Sequence, residues 1–140
     1  MGNQTFAIIK PDAVSKGYTG KIYDRIIQTG FNIVSAKLLK MSNEQAEGFY
    51  SVHKERPFFK DLIKFMTSGP CMVLALSKPN AVQAWRKTIG ATNPDEAEEN
   101  TIRKDFASNV QDNAVHGSDS DENAQKEIAF FFTDSELLTN

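Results

Sequence analysis

Cys71-Met72-Val73-Leu74-Ala75-Leu76 is an apolar run without alternation, the mark of a strand covered on both faces or central in its sheet. Ser68-Gly69-Pro70 sets it off on one side. On the other, a helix is expected from about Pro79 to Ile89, with proline in its first turn and Gly90 as its stop. Upstream, Phe58 to Met66 reads as a helix carrying Phe58, Leu62 and Phe65 on one face. Pro57 separates it from an earlier helix, which starts at the capping box Ser42-Asn43-Glu44-Gln45 and continues through Tyr50 to about His53. Phe31 to Leu39 alternates imperfectly, as a strand does when one face is covered and the other is edge-like. Before it, Tyr18 to Thr29 places Ile22 and Ile26 at helical spacing and ends at Gly30. Thr5-Phe6-Ala7-Ile8-Ile9 is a short strand closed by Lys10-Pro11-Asp12, because Pro11 has no N–H for a ladder. That strand delivers Lys10 at its tip.

Downstream, Gly90 to Asn100 combines Gly90, Pro94 and the carboxylates Asp95, Glu96, Glu98 and Glu99, which predicts a long surface loop with at most a helical turn. Thr101 to Ala107 predicts a short helix, Asp119 to Lys126 another, and Ile128-Ala129-Phe130-Phe131-Phe132 a last strand. The tail opens at Thr133 with a box-like Thr-x-x-Glu, enough for one turn. The order matches the βαββαβ plan of ferredoxin-like α/β sandwiches. Right-handed crossovers then put the first and third strands in the middle of a four-stranded antiparallel sheet covered by helices. Such a scaffold hosts many activities and names none.

The 140 residues fit one domain spanning 1–140, at 40% hydrophobic and 24% charged residues with a net charge of −2. This mild acidity argues against non-specific nucleic-acid binding as the main task. The lone Cys71 cannot form an internal disulfide and reads as a small buried hydrophobe. No apolar run reaches the roughly 20 residues of a membrane span, and the first residues lack signal-peptide regions, so the expected compartment is the cytoplasm. Two distant histidines and one buried cysteine make no zinc constellation.

His116 stands in Asn113-Ala114-Val115-His116-Gly117-Ser118-Asp119-Ser120. The glycine and small polar residues after it predict a turn with no apolar face, hence an exposed imidazole, about three quarters neutral at pH 7. Lys10, Arg86 and Arg103 are cations outside helix-face charge patterns and are the candidates for holding an anion. Thr92, in Ala91-Thr92-Asn93-Pro94, could offer a hydroxyl to a phosphate or simply make a turn. Tyr50 and Phe58 flank Arg56-Pro57, where an aromatic could stack on a base or belong to the core. Glu127 precedes the predicted last strand and could orient an imidazole. Neither a P-loop nor a Rossmann glycine pattern is present, so a nucleotide would have to bind by another geometry.

Lys10-Pro11-Asp12-Ala13, Glu55-Arg56-Pro57-Phe58-Phe59, Ser68-Gly69-Pro70, Gly90-Ala91-Thr92-Asn93-Pro94, Thr101-Ile102-Arg103 and Asn113 to Ser120 together resemble the signature blocks of nucleoside diphosphate kinases. The likeness runs in order from about Thr5 to Phe132. It implies a ping-pong reaction that maintains NTP and dNTP pools: His116 takes the γ-phosphoryl group from a nucleoside triphosphate such as ATP and gives it to a nucleoside diphosphate. It further implies that Glu127 and Ser118 hold the imidazole, and that Lys10, Tyr50, Arg86, Thr92 and Arg103 surround the phosphates. Asn113 and Lys10 would meet the sugar hydroxyls, and Phe58 and Val110 would sandwich the base. Mg²⁺ would enter with the nucleotide, held by phosphate and water rather than by a carboxylate cage. Homo-oligomers, hexamers or tetramers of dimers, are implied as well, with self-pairing expected at the Phe31–Leu39 strand and no membrane or specific nucleic-acid partner. Two departures stand out. Asn100 replaces the usual glycine before Thr-Ile-Arg, a change a positive φ tolerates, and Lys104 replaces a small residue. The rival readings are a catalytically silent nucleotide-binding module on the same fold and a nucleic-acid-binding sheet. The first needs a missing phosphate ligand, and the second an aromatic-rich strand motif that this chain lacks.

Overall fold

In the computed structural model, which describes residues 2–138, four strands and seven helices alternate along the chain. They are β1 (Gln4–Ile9), α1 (Pro11–Ser15), α2 (Thr19–Gln28), β2 (Asn32–Leu39), α3 (Asn43–Phe49), α4 (Phe59–Met66), β3 (Cys71–Ser77), α5 (Ala81–Ile89), α6 (Ile102–Phe106), β4 (Val115–Gly117) and α7 (Asp121–Phe131). Single 3₁₀ turns occupy Ser51–His53, Pro94–Glu96 and Asp134–Glu136. The strands form one antiparallel sheet in the order β2-β3-β1-β4, so the unbroken apolar run Cys71–Leu76 is central, as expected. This is the ferredoxin-like sandwich that the order of elements predicts.

Strand pleating divides the core in two, because successive side chains point to opposite faces. Phe6 and Ile8 of β1 join Val73 and Ala75 of β3 under α3, α4 and α7. Ala7 and Ile9 join Leu74 and Leu76 under α2 and α5, where Trp85 is fully buried. Local signals set the helix ends. Ser42 accepts from the Gln45 amide at 3.1 Å while Gln45 accepts from the Ser42 amide at 3.0 Å, completing the capping box. Pro11 begins α1, where a missing N–H costs nothing, so the chain turns directly from strand into a short helix there.

The C-terminal third differs from the expectation twice. Ile128–Phe132 is not a strand; α7 continues through it to Phe131. Ala124, Ile128 and Phe131 are buried at spacings of four and three, so the aromatic run is the last turn of an amphipathic helix on the Phe6 face. The fourth strand is instead Val115–Gly117, three residues at the sheet edge that carry His116. A strand that short has no readable alternation, and its pairing with β1 is a contact between distant parts of the chain. Among the described residues no helix is long and apolar enough to cross a membrane.

The corrected helix has a clear start: the Ser120 hydroxyl accepts from the Asn123 amide at 3.1 Å. Ser120→Ala is therefore expected to cost about 1 kcal/mol. Urea unfolding reads this as a lower midpoint at unchanged slope, and an unchanged midpoint would remove the cap from the account of α7.

Candidate active site

His116 pairs with Ile8 across β1 and β4, and the pleat turns it to the face that α7 covers. Its side chain is 19% exposed, not the bare loop imidazole that Gly117-Ser118-Asp119 suggests. The rings of Phe6 and Phe49 meet it edge-on at centroid distances of 6.0 and 5.5 Å. Glu127 lies three residues after the buried Ala124 and one before the buried Ile128, so the helix brings its carboxylate inward beside the imidazole. His116 Nε2 lies 2.9 Å from Glu127 Oε1, and the Ser118 hydroxyl donates to the same oxygen at 2.7 Å. With Nε2 directed to a carboxylate, Nδ1 is the nitrogen left with a lone pair. Burial lowers the His116 pKa from its ordinary value; Glu127 opposes this, and the charges of Lys10 and Arg103 reinforce it. The balance favours the neutral ring.

The backbone under His116 is held from several sides. Trp85 donates its indole N–H to the His116 carbonyl at 3.0 Å. Gly117 lets that indole approach: a Cβ there would stand 2.7 Å from Trp85 Cδ1. Just before the strand, Ala114 adopts φ 71, and Val115 donates back to the Asn113 carbonyl at 2.8 Å, a γ-turn in the left-handed region. Arg103 donates to the Asn113, Gly90 and Val115 carbonyls at 3.4, 3.0 and 2.9 Å.

Three cations lie near β4, with Lys10 lining neither of the two cavities beside it. Lys10, at the tip of β1, donates to Asn113 Oδ1 at 2.8 Å, and Asn113 Nδ2 donates to the Val110 carbonyl at 2.9 Å. Arg86, Thr92 and Arg103 line one cavity of about 550 Å³. Tyr50, His116 and Glu127 line a second of about 360 Å³, and Gly117 borders both. Lys10 and Arg103 are buried, and among the described residues neither they nor Arg86 has a carboxylate partner in a salt bridge. Tyr50 is buried too, its hydroxyl without a partner and its pKa raised by burial. Phe58 and Val110 are exposed, at 48% and 56%, and line neither cavity; the Phe58 ring lies 5.5 Å from that of His53. Asn100 holds φ 68, the conformation that its replacement of glycine requires. Lys104 is exposed on α6.

Three partners of His116 were not singled out from the sequence. Phe6 carries only the signal of its strand, and nothing in the sequence marks Phe49 or Trp85 for this role. Each reaches the histidine through tertiary packing, although the glycine after His116 is a signal that something packs closely there. Among the described residues there is no group of three or more His, Cys, Asp or Glu side chains arranged to hold a metal. The first cavity is lined by Arg86, Lys87 and Arg103 together with Glu96 and Glu98, an excess of one cation.

Known proteins match this chain along almost its whole length. The family model described as "Nucleoside diphosphate kinase" matches residues 3–137. The nucleoside diphosphate kinase of Geotalea uraniireducens is 56% identical over 135 residues, covering 96% of this chain and 98% of the relative. Among solved structures, an orthorhombic crystal form of the Aquifex aeolicus nucleoside diphosphate kinase aligns with a TM-score of 0.95 at 45% identity, covering 97% of this chain and 99% of that one. A halophilic nucleoside diphosphate kinase from Halobacterium salinarum, in complex with CDP, aligns at 0.94 with 34% identity, covering 100% and 93%.

Burial, then the charge of Arg103, pushes the Lys10 pKa down to about 8 from 10.5. Its folded-state value is below the unfolded one, so the unfolded chain takes up this proton first as pH falls. Lys10's contribution to stability is therefore complete above pH 10.5 and is lost as pH falls through about 8. Binding of a polyphosphate anion needs the cation and should change the opposite way. Pyrophosphate affinity, measured by calorimetry, is expected to fall as pH rises through about 8, and Lys10→Met should abolish that step. A step that survives in Lys10→Met would assign it to another group.

Proposed function

The chain belongs to the nucleoside diphosphate kinase family and is a phosphotransferase, and from this premise we propose that it transfers the γ-phosphoryl group between nucleotides through a phosphohistidine on His116. The observation that carries this reading is the His116–Glu127 contact of 2.9 Å beside the cavity lined by Arg86 and Arg103. In the first half-reaction the Nδ1 lone pair attacks the γ-phosphorus of a nucleoside triphosphate such as ATP. The N–P bond forms, the bond to the bridging oxygen breaks, and the diphosphate leaves with that electron pair. Positive charge grows on the ring as it attacks, and the Glu127 carboxylate stabilises it by accepting the Nε2–H hydrogen bond. Ser118 holds the carboxylate in place. In the second half-reaction a terminal oxygen of another nucleoside diphosphate attacks phosphorus, and the electrons of the N–P bond return to Nδ1.

Lys10, Arg86, Arg103 and Thr92 hold the phosphates in this reading, and the unpartnered Tyr50 hydroxyl has a proton to donate to a transferring oxygen. Asn113, bonded to Lys10, would meet the sugar hydroxyls together with it. Phe58 and Val110 offer exposed apolar surface to either face of a base and no groups that read its edge, consistent with acceptance of many bases. Mg²⁺ would enter with the nucleotide and be held mainly by its phosphates, since the cavity's two carboxylates, Glu96 and Glu98, stand among Arg86, Lys87 and Arg103 and form no cage of their own. When bound, it neutralises phosphate charge during transfer. The single domain works in the cytoplasm, as a homo-oligomer whose copies meet along the edge of β2, maintaining NTP and dNTP pools.

Incubation with γ-labelled ATP should give an acid-labile, base-stable label on the chain that GDP removes. His116→Gln is expected to abolish label and transfer with an unchanged unfolding midpoint. Glu127→Gln should slow labelling by about 10- to 100-fold, the worth of a hydrogen bond to a charged group. Substantial transfer by His116→Gln would refute the covalent route.

A further inference from the structure

The strained turn ahead of His116 has a holder outside the phosphate ligands. Asp12 Oδ2 accepts from the Ala114 amide at 3.1 Å, across 102 positions of sequence, and the Lys10 amide donates to the Ala114 carbonyl at 2.8 Å. Residues 10–12 therefore take both backbone polar groups of Ala114, the alanine at φ 71. Side chains other than glycine rarely adopt that conformation, and the surroundings must impose it. Arg103 takes the carbonyls on either side, and Lys10 takes the Asn113 side chain. Asp12 is thus the one acidic group among the side chains that grip this turn, and its Oδ1 is buried without a partner. Burial raises its pKa from the ordinary value, and the Ala114 amide is the foremost of the groups that resist the rise. A carboxylate serving only the start of α1 would gain from remaining in water.

We infer that Asp12 is a positioning residue for the phosphoryl transfer: by holding the Ala114 amide it keeps the γ-turn at its positive φ, and so sets the direction in which β4 presents His116. Asp12 touches neither nucleotide nor phosphorus in this account. It acts through two residues of backbone, where a small rotation displaces the imidazole relative to Glu127 and to the cation-lined cavity. The inference rests on His116 being the phosphoryl carrier.

Its test compares Asp12→Ala and Asp12→Asn in the wild-type chain and in Ala114→Gly, by the rate of labelling from γ-labelled ATP in a single turnover. Asp12→Ala is expected to slow labelling about 10- to 100-fold, while Asp12→Asn, whose amide oxygen can still accept, stays within about threefold. In the Ala114→Gly background the loss from Asp12→Ala should shrink to about threefold or less, because glycine occupies φ near +70° without a steric penalty. Thermal unfolding verifies that each variant is folded. Should Asp12→Ala not fold, Asp12→Glu, which moves the carboxylate by one methylene, carries the same comparison. Normal labelling by Asp12→Ala, or an equal loss in both backgrounds, would overturn the inference. A wild-type chain that takes no label would overturn the phosphohistidine reading beneath it instead.

Discussion

Ile8 faces His116 across β1 and β4, and this register decides on which side of the sheet the imidazole stands. A slip of one residue would turn His116 toward the Trp85 face and send Val115 to the side of Glu127. Three paired positions are few for so consequential a choice, and the ladder alone would hold it weakly. The remainder comes from side chains that grip backbone. Trp85 takes the His116 carbonyl, Arg103 takes that of Val115, and Asp12 takes the Ala114 amide. β1 contributes as a template, since it is central, buried and paired along its length with β3. His116 therefore sits on an edge strand yet inherits the rigidity of the middle of the sheet.

Those same grips bury charge. Lys10 and Arg103 are sunk among carbonyl and amide oxygens, with no carboxylate bridged to them among the described residues, and both have their pKa values lowered, first of all by burial. Desolvation without a counter-ion opposes folding, and only the apolar layers on the two faces of the sheet can offset it. What the arrangement gains is a positive field already in place before an anion arrives. Its charges need not break ion pairs to meet a phosphate. The same field acts on His116, where the charges of Lys10 and Arg103 add to burial in lowering the pKa and Glu127 opposes them.

Much of the scaffold was legible in the sequence because its signals are local. The capping box at Ser42, Gly30 and Gly90 beyond their helices and the unbroken run at Cys71 each act within a few residues, and each has its expected effect. The aromatic run Phe130-Phe131-Phe132 has strand propensity, yet the helical period that Ala124, Ile128 and Phe131 share overrides it. Read as a strand, the run hides the place of Glu127, which an inward-facing position on α7 discloses. β4 was illegible for another reason: its three residues form a strand only because β1 is there to pair with. The convergence of Lys10, Asn113 and Arg103 came from the family pattern, as no spacing between positions 10 and 113 could supply it.

Stress in this fold is concentrated rather than spread. Of the three buried side-chain polar atoms without partners among the described residues, two belong to Asp12 and Tyr50, beside the turn and the cavity that frame His116. A buried hydroxyl or carboxylate oxygen left unpaired costs free energy, so such atoms persist where something else requires them. Ala114 adds a backbone strain two residues from His116, and Lys10 and Arg103 add desolvated charge. The layers under α2, α3 and α4 carry mostly matched apolar surface by comparison. Local rules are broken where the chain holds a part-buried imidazole near cations that lack salt-bridge partners among the described residues, and the well-packed remainder of the sandwich is what makes that arrangement tolerable.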